Sequence, residues 1–182
     1  TFANSTIEEV KLPSTLKEIG NGCFRETLKL KTIDLPEGLL VLQNMAFYQS
    51  GLEEIELPST VTEINQAFYY ATNLKKVKLS SSLTTFEASS FNNCPIEEIT
   101  IPSSMVEIRE YSFVDCLQLK KVNIPDSIAT IHANSFYNCP NLMELNISET
   151  NSFFVEEDGI LYDYDKTKII FLNKTRLEEI IV

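Results

Sequence analysis

The sequence predicts a single β-rich solenoid of short parallel strands, built from stacked repeats of 22–23 residues. Three observations carry that reading. Pro13, Pro36, Pro58, Pro102 and Pro125 each follow an apolar-x-apolar triplet, and Ser80 and Ser148 replace proline after V-K-L and L-N-I. The intervals between these seven positions are 23, 22, 22, 22, 23 and 23 residues. A phenylalanine recurs in the same register, at Phe2, Phe24, Phe47, Phe68, Phe91, Phe113 and Phe136, which is seven of the eleven in the chain. A unit this short cannot bury its apolar face alone, so the units must stack.

Each part of the unit has a physical assignment. The triplet, led by Leu30, Leu52, Leu74, Ile96, Leu119 or Leu142, reads as a short parallel strand. Its alternation sends the first and third residues inward and the middle one to solvent. The proline ends the strand because it has no N–H to donate. Three residues later comes Leu16, Leu39, Val61, Leu83, Met105 or Ile128, and three further on Ile19, Leu42, Ile64, Phe86, Ile108 or Ile131. The stretch from there to the phenylalanine is expected to turn the chain back and plant the ring in the core. Rings at equivalent positions then form a spine, each burying about 150–250 Å². A small residue follows three places on, at Thr27, Ser50, Ala71, Cys94, Cys116 or Cys139.

Composition narrows the function. Asp+Glu 26 against Lys+Arg 15 gives a net charge of -11, which argues against binding to nucleic acid or to an anionic membrane surface. No apolar run approaches the roughly 20 residues of a membrane span, so no direct membrane insertion is expected of this segment. With 5 glycines in 182 residues, phosphate-cradling loops are nearly excluded. Only Gly20 to Arg25, "GNGCFR", comes near, and it lacks a third glycine. No CxxC pair, no G-x-S-x-G and no H-E-x-x-H occurs, and His132 is the one histidine. No metal, cofactor or enzymatic activity is expected. The repeat register accounts for Cys23, Cys94, Cys116 and Cys139 as small buried residues with free thiols.

The pattern L-x-x-I-x-I-P-x-x-V-x-x-I-x-x-x-A-F-x-x-C resembles the BspA-like leucine-rich repeat, also called the Treponema pallidum type, from residue 2 to about residue 150. "LPSTLKEIGNGCF", "LPSTVTEINQAF" and "IPDSIATIHANSFYNC" are especially close. "FFVEEDGILYDYDKTKIIFL" is similar to the hairpin insertion that often follows repeats in that family. The resemblance implies a right-handed leucine-rich-repeat solenoid of the α/β horseshoe class. It also implies a cell-surface or secreted protein of a bacterium or parasitic protist, with adhesion or matrix binding as its role.

Residues 1–150 are therefore expected to form the repeat array, 151–172 a β-hairpin insertion, and 173–182 the start of a further repeat strand at Leu177, Ile180 and Val182. Phe2 already occupies the ring column, and neither end carries a polar capping unit. The segment thus reads as one solenoid domain cut from a longer protein. The hairpin's acidic residues lack the spacing of a calcium loop.

The outward strand residues line the concave face, the usual binding face of such arrays. The two positions before each inward V/I residue are Glu8-Glu9, Lys31-Thr32, Glu53-Glu54, Lys75-Lys76, Glu97-Glu98, Lys120-Lys121, Met143-Glu144 and Glu178-Glu179. Their sign alternates from coil to coil through the first seven, so each glutamate pair is expected to face lysines above and below. Candidate protein-binding residues on this face are Glu54, Glu56, Lys76, Lys78, Glu98 and Lys121. The face lacks aromatic anchors, so Tyr48 and Tyr69, next to core phenylalanines and close to Tyr70, are added as candidates on the back or edge. Asn4, Asn146 and Asn173 head N-x-S/T sequons and are candidate glycosylation sites. The expected function is a non-catalytic, monomeric protein-binding or adhesion module that takes a host matrix or cell-surface protein. The alternative is a passive spacer in a surface stalk, with the charge stripe setting register and solubility.

Overall fold

The structure, a computed structural model, describes residues 1–172. Asn173, Glu178, Glu179 and the expected strand over 173–182 lie outside the described residues. Within them the chain is a parallel-strand solenoid with no helix. Its coil strands, in chain order, are β1 (Glu18–Ile19), β2 (Val41–Leu42), β3 (Glu54–Glu56), β4 (Glu63–Ile64), β5 (Lys76–Lys78) and β6 (Thr85–Phe86). They continue as β7 (Glu98–Thr100), β8 (Glu107–Ile108), β9 (Lys121–Ile124), β10 (Thr130–Ile131) and β11 (Glu144–Ile147). Three strands of four residues each follow, β12 (Phe154–Glu157), β13 (Ile160–Asp163) and β14 (Ile169–Leu172).

Five of the triplets form two parallel ladders, β3 with β5 and β7 with β9 and β11, in the repeat's own register, as in Ile55 opposite Val77 and Ile99 opposite Val122. The first two triplets, at 10–12 and 33–35, do not form the expected strands. Ile55, Leu57, Ile99, Ile101, Val122 and Ile124 are buried, while Glu54, Glu56, Glu98 and Thr100 between them are exposed. This is the alternation that the triplet predicts.

A second ladder was not expected. The residues that sequence patterning assigns to a turn begin with strands of two residues each, which pair as β1-β2-β4-β6 and β8-β10. Their inward members are the Ile19, Leu42, Ile64, Phe86, Ile108 and Ile131 column, all buried. The four coils from β3 to β10 thus close over their core with two short strands on different faces.

The turn that follows is itself laddered. Backbone N–H groups alternate between the coil's own carbonyls and those of the next coil. Cys23 N donates to Gly20 O (3.1 Å) and Arg25 N to Gly22 O (3.2 Å), whereas Phe24 N donates to Ala46 O (2.8 Å) and Glu26 N to Tyr48 O (2.8 Å). Reversing the N–H direction at alternate residues requires left-handed backbone two residues before and two after each ring. Met45, Gln66, Ser89, Tyr111 and Asn134 hold the first position and Glu26, Gln49, Tyr70, Asn93, Asp115 and Asn138 the second, with φ between +48° and +66°. Such a conformation costs a non-glycine residue roughly 1–2 kcal/mol. The intercoil bonds and the buried rings offset it.

The rings form the expected spine. Phe2, Phe24, Phe47, Phe68, Phe91, Phe113 and Phe136 stack in sequence with centroids 5.4–5.5 Å apart. Phe171 of β14 closes the far end edge-on to Phe136 at 5.9 Å. The expected hairpin is present as β13 and β14, and β12 adds a third antiparallel strand. Phe154 and Leu161 bury against the array, so this small sheet packs on the core.

The four cysteines are free thiols. Cys94, Cys116 and Cys139 each donate to the carbonyl of the preceding coil's ring residue, Phe68 (3.1 Å), Phe91 (3.1 Å) and Phe113 (2.9 Å). Burial pushes the Cys94 thiol up to about 12 and raises that of Cys116 as well. Thiolate chemistry at neutral pH is suppressed in both.

Candidate functional site

The triplet ladder bends into an open groove with a volume of about 1410 Å³. Its floor is made of the outward residues of β3, β5 and β7, because alternation leaves those side chains no other side to occupy. Glu54, Glu56, Lys76, Lys78 and Glu98 line it, together with Asp34, Lys75, Glu97 and Thr100. Lys121 lies one coil beyond and is half-buried. No aromatic side chain lines the groove.

Opposite charges do pair along the face, each paired glutamate with a lysine of one neighbouring coil only. Lys31 meets Glu53 at 3.2 Å, Lys120 meets Glu97 at 2.9 Å, Lys121 meets Glu98 at 3.5 Å, and Lys78 holds Glu56. Each glutamate takes one lysine and not the two that simple alternation suggests. Lys75, Lys76 and Glu54 form no ion pair among the described residues. The Lys120 ammonium keeps the Glu97 carboxyl below its usual range, first by hydrogen bonding and then by charge, with smaller help from Lys75 and Lys76. Exposed pairs of this kind contribute little to stability. They do leave the face ordered and striped.

Beyond β7 the stripe changes character. Asn123 Nδ2 donates to Glu98 Oε1 (2.8 Å) and Thr100 Oγ1 (2.9 Å), and Asn146 Nδ2 donates to Asn123 Oδ1 (3.0 Å). The sequon residue Asn146 is therefore already engaged on the strand face, although exposed. Asn4 is exposed at a left-handed position beside Arg25, whose carbonyl accepts its backbone N–H.

The tyrosines come together as expected and lie away from the groove. Tyr48 stacks on Tyr69 at 5.9 Å, Tyr70 stands edge-on to Tyr69 at 4.8 Å, and the Arg25 guanidinium lies over Tyr48 at 5.1 Å. All three tyrosines are half-buried. The cation–π contact and mutual stacking account for much of their surface.

One polar cluster was not legible as such. On the second ladder Arg109 bridges Glu107 (3.0 Å) and Glu87 (3.2 Å), and His132 Nε2 meets the other oxygen of Glu107 at 3.1 Å. The signal that places these four residues together is the two-residue strand and the residue after it, which puts consecutive coils side by side. Hydrogen bonding from His132, and secondarily from Arg109, holds the Glu107 carboxyl below its usual range against the cost of burial. A carboxyl whose folded pKa is depressed stabilises the fold above its unfolded pKa of about 4.3 and loses that contribution as pH falls through the depressed value. His132→Ala is expected to raise the Glu107 midpoint toward the ordinary range in an NMR titration of the carboxyl carbon. An unmoved midpoint would contradict the contact.

Among the described residues no group of three His, Cys, Asp or Glu side chains is placed to hold a metal ion, and no helix is long and apolar enough to cross a membrane.

Comparison with known proteins agrees with this architecture. The family model for BspA type leucine rich repeat regions matches residues 1–117 and 88–180. The chain is similar to the T. pallidum leucine-rich repeat protein TpLRR, with a TM-score of 0.73 and 27% identity over 78% of this chain and 70% of that one. A leucine-rich repeat protein from Eubacterium ventriosum shares the fold at a TM-score of 0.69 and 24% identity, over 76% of this chain and 37% of that one. The pneumococcal vaccine antigen PcpA is similar at a TM-score of 0.58 and 29% identity, over 93% of this chain and 37% of that one. Relative to the last two, the chain thus spans little more than a third of their length. No curated protein matches the sequence.

Proposed function

Because this chain belongs to the BspA-type leucine-rich repeat family, we propose that it is a non-catalytic protein-docking module of a cell-surface or secreted protein, with the strand-face groove as its binding surface. The observation that carries the reading is the groove itself. It has a volume of about 1410 Å³ and a floor of charged side chains, among them Lys75, Lys76 and Glu54, which form no ion pair among the described residues. A wide, polar, open surface suits a macromolecular partner better than a small ligand, which favours enclosed and largely apolar sites. Glu54, Glu56, Lys76, Lys78, Glu98 and Lys121 are the proposed contacts, and Tyr48 and Tyr69 a secondary patch. Similarity to a protein named as a vaccine antigen supports placement at a cell surface. The partner is a matrix or cell-surface protein, held by many modest contacts whose effects multiply along an array.

Saturable binding of immobilised matrix proteins is expected, weakening as salt rises because the contacts are exposed charges. Replacing Lys75, Lys76, Lys120 and Lys121 together by serine should reduce the affinity about tenfold or more. Unchanged binding by that variant would sink the charged-groove reading. The paired state of Lys31, Lys78, Lys120 and Lys121 favours a second reading, in which the stripe sets coil register and the array is a spacer. That reading predicts no saturable partner at all.

A further inference from the structure

Both parallel ladders stop at the same coil step. β5 pairs with β3 and β7 with β9, but β5 and β7 do not pair with each other. On the second face β6 pairs with β4 and β8 with β10, again leaving β6 and β8 unpaired. Among the described residues this is the step at which neither face carries a backbone ladder. The phenylalanine turn continues through it, with Ser89 N donating to Tyr111 O (3.2 Å), Phe91 N to Ser112 O (3.1 Å) and Asn93 N to Val114 O (2.8 Å). On the second face side chains also cross, Ser104 Oγ to Leu83 O at 2.5 Å and Arg109 to Glu87 at 3.2 Å. The groove side has no such bond.

Two departures from the repeat account for the seam. Phe86 stands where the other coils carry Ile or Leu, and its ring fits edge-on against Phe91 and Phe113, each at 5.7 Å. A ring in a column otherwise filled by aliphatic side chains changes how these two coils pack, while the phenylalanine column keeps its usual spacing, Phe91 to Phe113 at 5.5 Å. Pro95 stands where Gly51 donates its N–H to Thr27 O (3.0 Å) in an earlier coil, and proline has no N–H to give.

The seam has the character of a receiving edge. In a parallel strand successive residues direct their N–H and C=O groups to opposite neighbours. Leu57 N donates to Lys78 O and Ile101 N to Asn123 O, so Val77 and Leu79 point their backbone groups toward β7, and Glu98 and Thr100 point theirs toward β5. Val77 and Leu79 are half-buried, although Ile55, Leu57, Ile99 and Ile101 on either side are buried. Glu97 and Glu98 pair away from the seam, with Lys120 and Lys121, and Lys75 and Lys76 on the opposite lip form no ion pair among the described residues.

We propose that the β5–β7 seam takes up an extended acidic segment of a partner protein as an added strand. The proposal deepens the groove reading and rests on it. Main-chain bonds supply affinity, and alternate side chains supply selectivity. A strand between β5 and β7 would direct every second residue inward to Val77 and Leu79, where apolar side chains fit, and the others outward to Lys75 and Lys76, where acidic ones fit. Admitting it requires neighbouring strands to part from about 4.8 Å to about twice that. The continuous phenylalanine turn on the far side provides the pivot.

The test uses the whole chain and a blocked peptide of alternating valine and glutamate. In the free chain, amide exchange at Val77, Leu79, Glu98 and Thr100 should be fast beside that at Lys78 and Ile99, and the peptide should slow it. Methylating alternate peptide nitrogens should abolish binding, and exchanging glutamate for lysine should weaken it about tenfold. Phe86→Ile, which restores the usual residue of the column, should close the seam and lose the peptide while retaining the fold. Equal binding of the methylated peptide, no binding of the parent peptide, or slow exchange at those four amides in the free chain would each overturn the proposal. A matrix protein that binds the array with the same affinity after Phe86→Ile overturns the seam and leaves the groove reading standing. Loss of saturable matrix binding altogether removes both.

Discussion

Phe91→Ala is expected to destabilise the array by about 4 kcal/mol, within the range for removing a buried ring. Phe91 is fully buried and touches three other rings, Phe68 at 5.4 Å, Phe113 at 5.5 Å and Phe86 at 5.7 Å. The left-handed residues around it, Ser89 and Asn93, are held in place by the intercoil bonds that the ring anchors. Once the ring is gone, the intercoil bonds alone must offset their strain. Phe2→Ala provides the comparison, because that ring is 40% exposed and stacks on Phe24 alone. It should cost about 1 kcal/mol, in proportion to the smaller area it buries. Urea unfolding of the two variants measures both. Similar losses at the two positions, or a loss below about 1 kcal/mol at Phe91, would show that the rings pack without carrying the fold.

Gly51→Ala is the second large effect. Gly51 sits in a connection one residue shorter than that of the coil before it, Ser50-Gly51-Leu52 against Thr27-Leu28-Lys29-Leu30. The shortcut presses its Cα onto the preceding coil. An added Cβ would lie 2.1 Å from the Leu28 carbonyl oxygen and 2.6 Å from its carbon. These are backbone atoms, so no rotamer change relieves the clash, and the two coils must shift. A loss of about 3 kcal/mol is expected in thermal or urea unfolding. Gly20→Ala, where nothing lies within 4 Å of the new methyl group, should stay within about 0.5 kcal/mol of the parent. Equal behaviour of the two variants would refute the close approach at Gly51.

The parts of this molecule that sequence reveals are those in which one residue type answers one physical demand in every coil. The Phe24 to Phe136 column and the V/I-x-L/I triplets are of that kind, since only an apolar side chain fits the stacked interior. The second ladder escaped notice because β1 or β10 exposes a single inward side chain, Ile19 or Ile131, and a strand of two residues has no alternation to detect. Left-handed backbone at Met45, Gln66 and Tyr111 left no trace in composition, because packing between coils enforces it without glycine. The strand-face charges were legible as a stripe. Their pairing was not, because which lysine a glutamate takes depends on how neighbouring strands are registered, and between Lys76 and Glu98 no backbone bond sets that register. The seam does have signals in the sequence. Phe86 in an aliphatic column, Pro95 and Ser80 in place of proline all depart from the repeat within one coil.

The continuity of the ring column has a genetic consequence. From Phe24 to Phe113 each phenylalanine of the column stacks on a like ring above and below, and the turn ladder repeats its intercoil bonds from coil to coil, as from Phe24, Phe47, Phe91 and Phe113. An in-frame duplication or loss of 22 or 23 codons would therefore rejoin ring to ring without leaving a mismatched core. Recombination between neighbouring repeats can lengthen or shorten such a protein and shuffle its exposed charges, while the buried column passes unchanged from parent to recombinant.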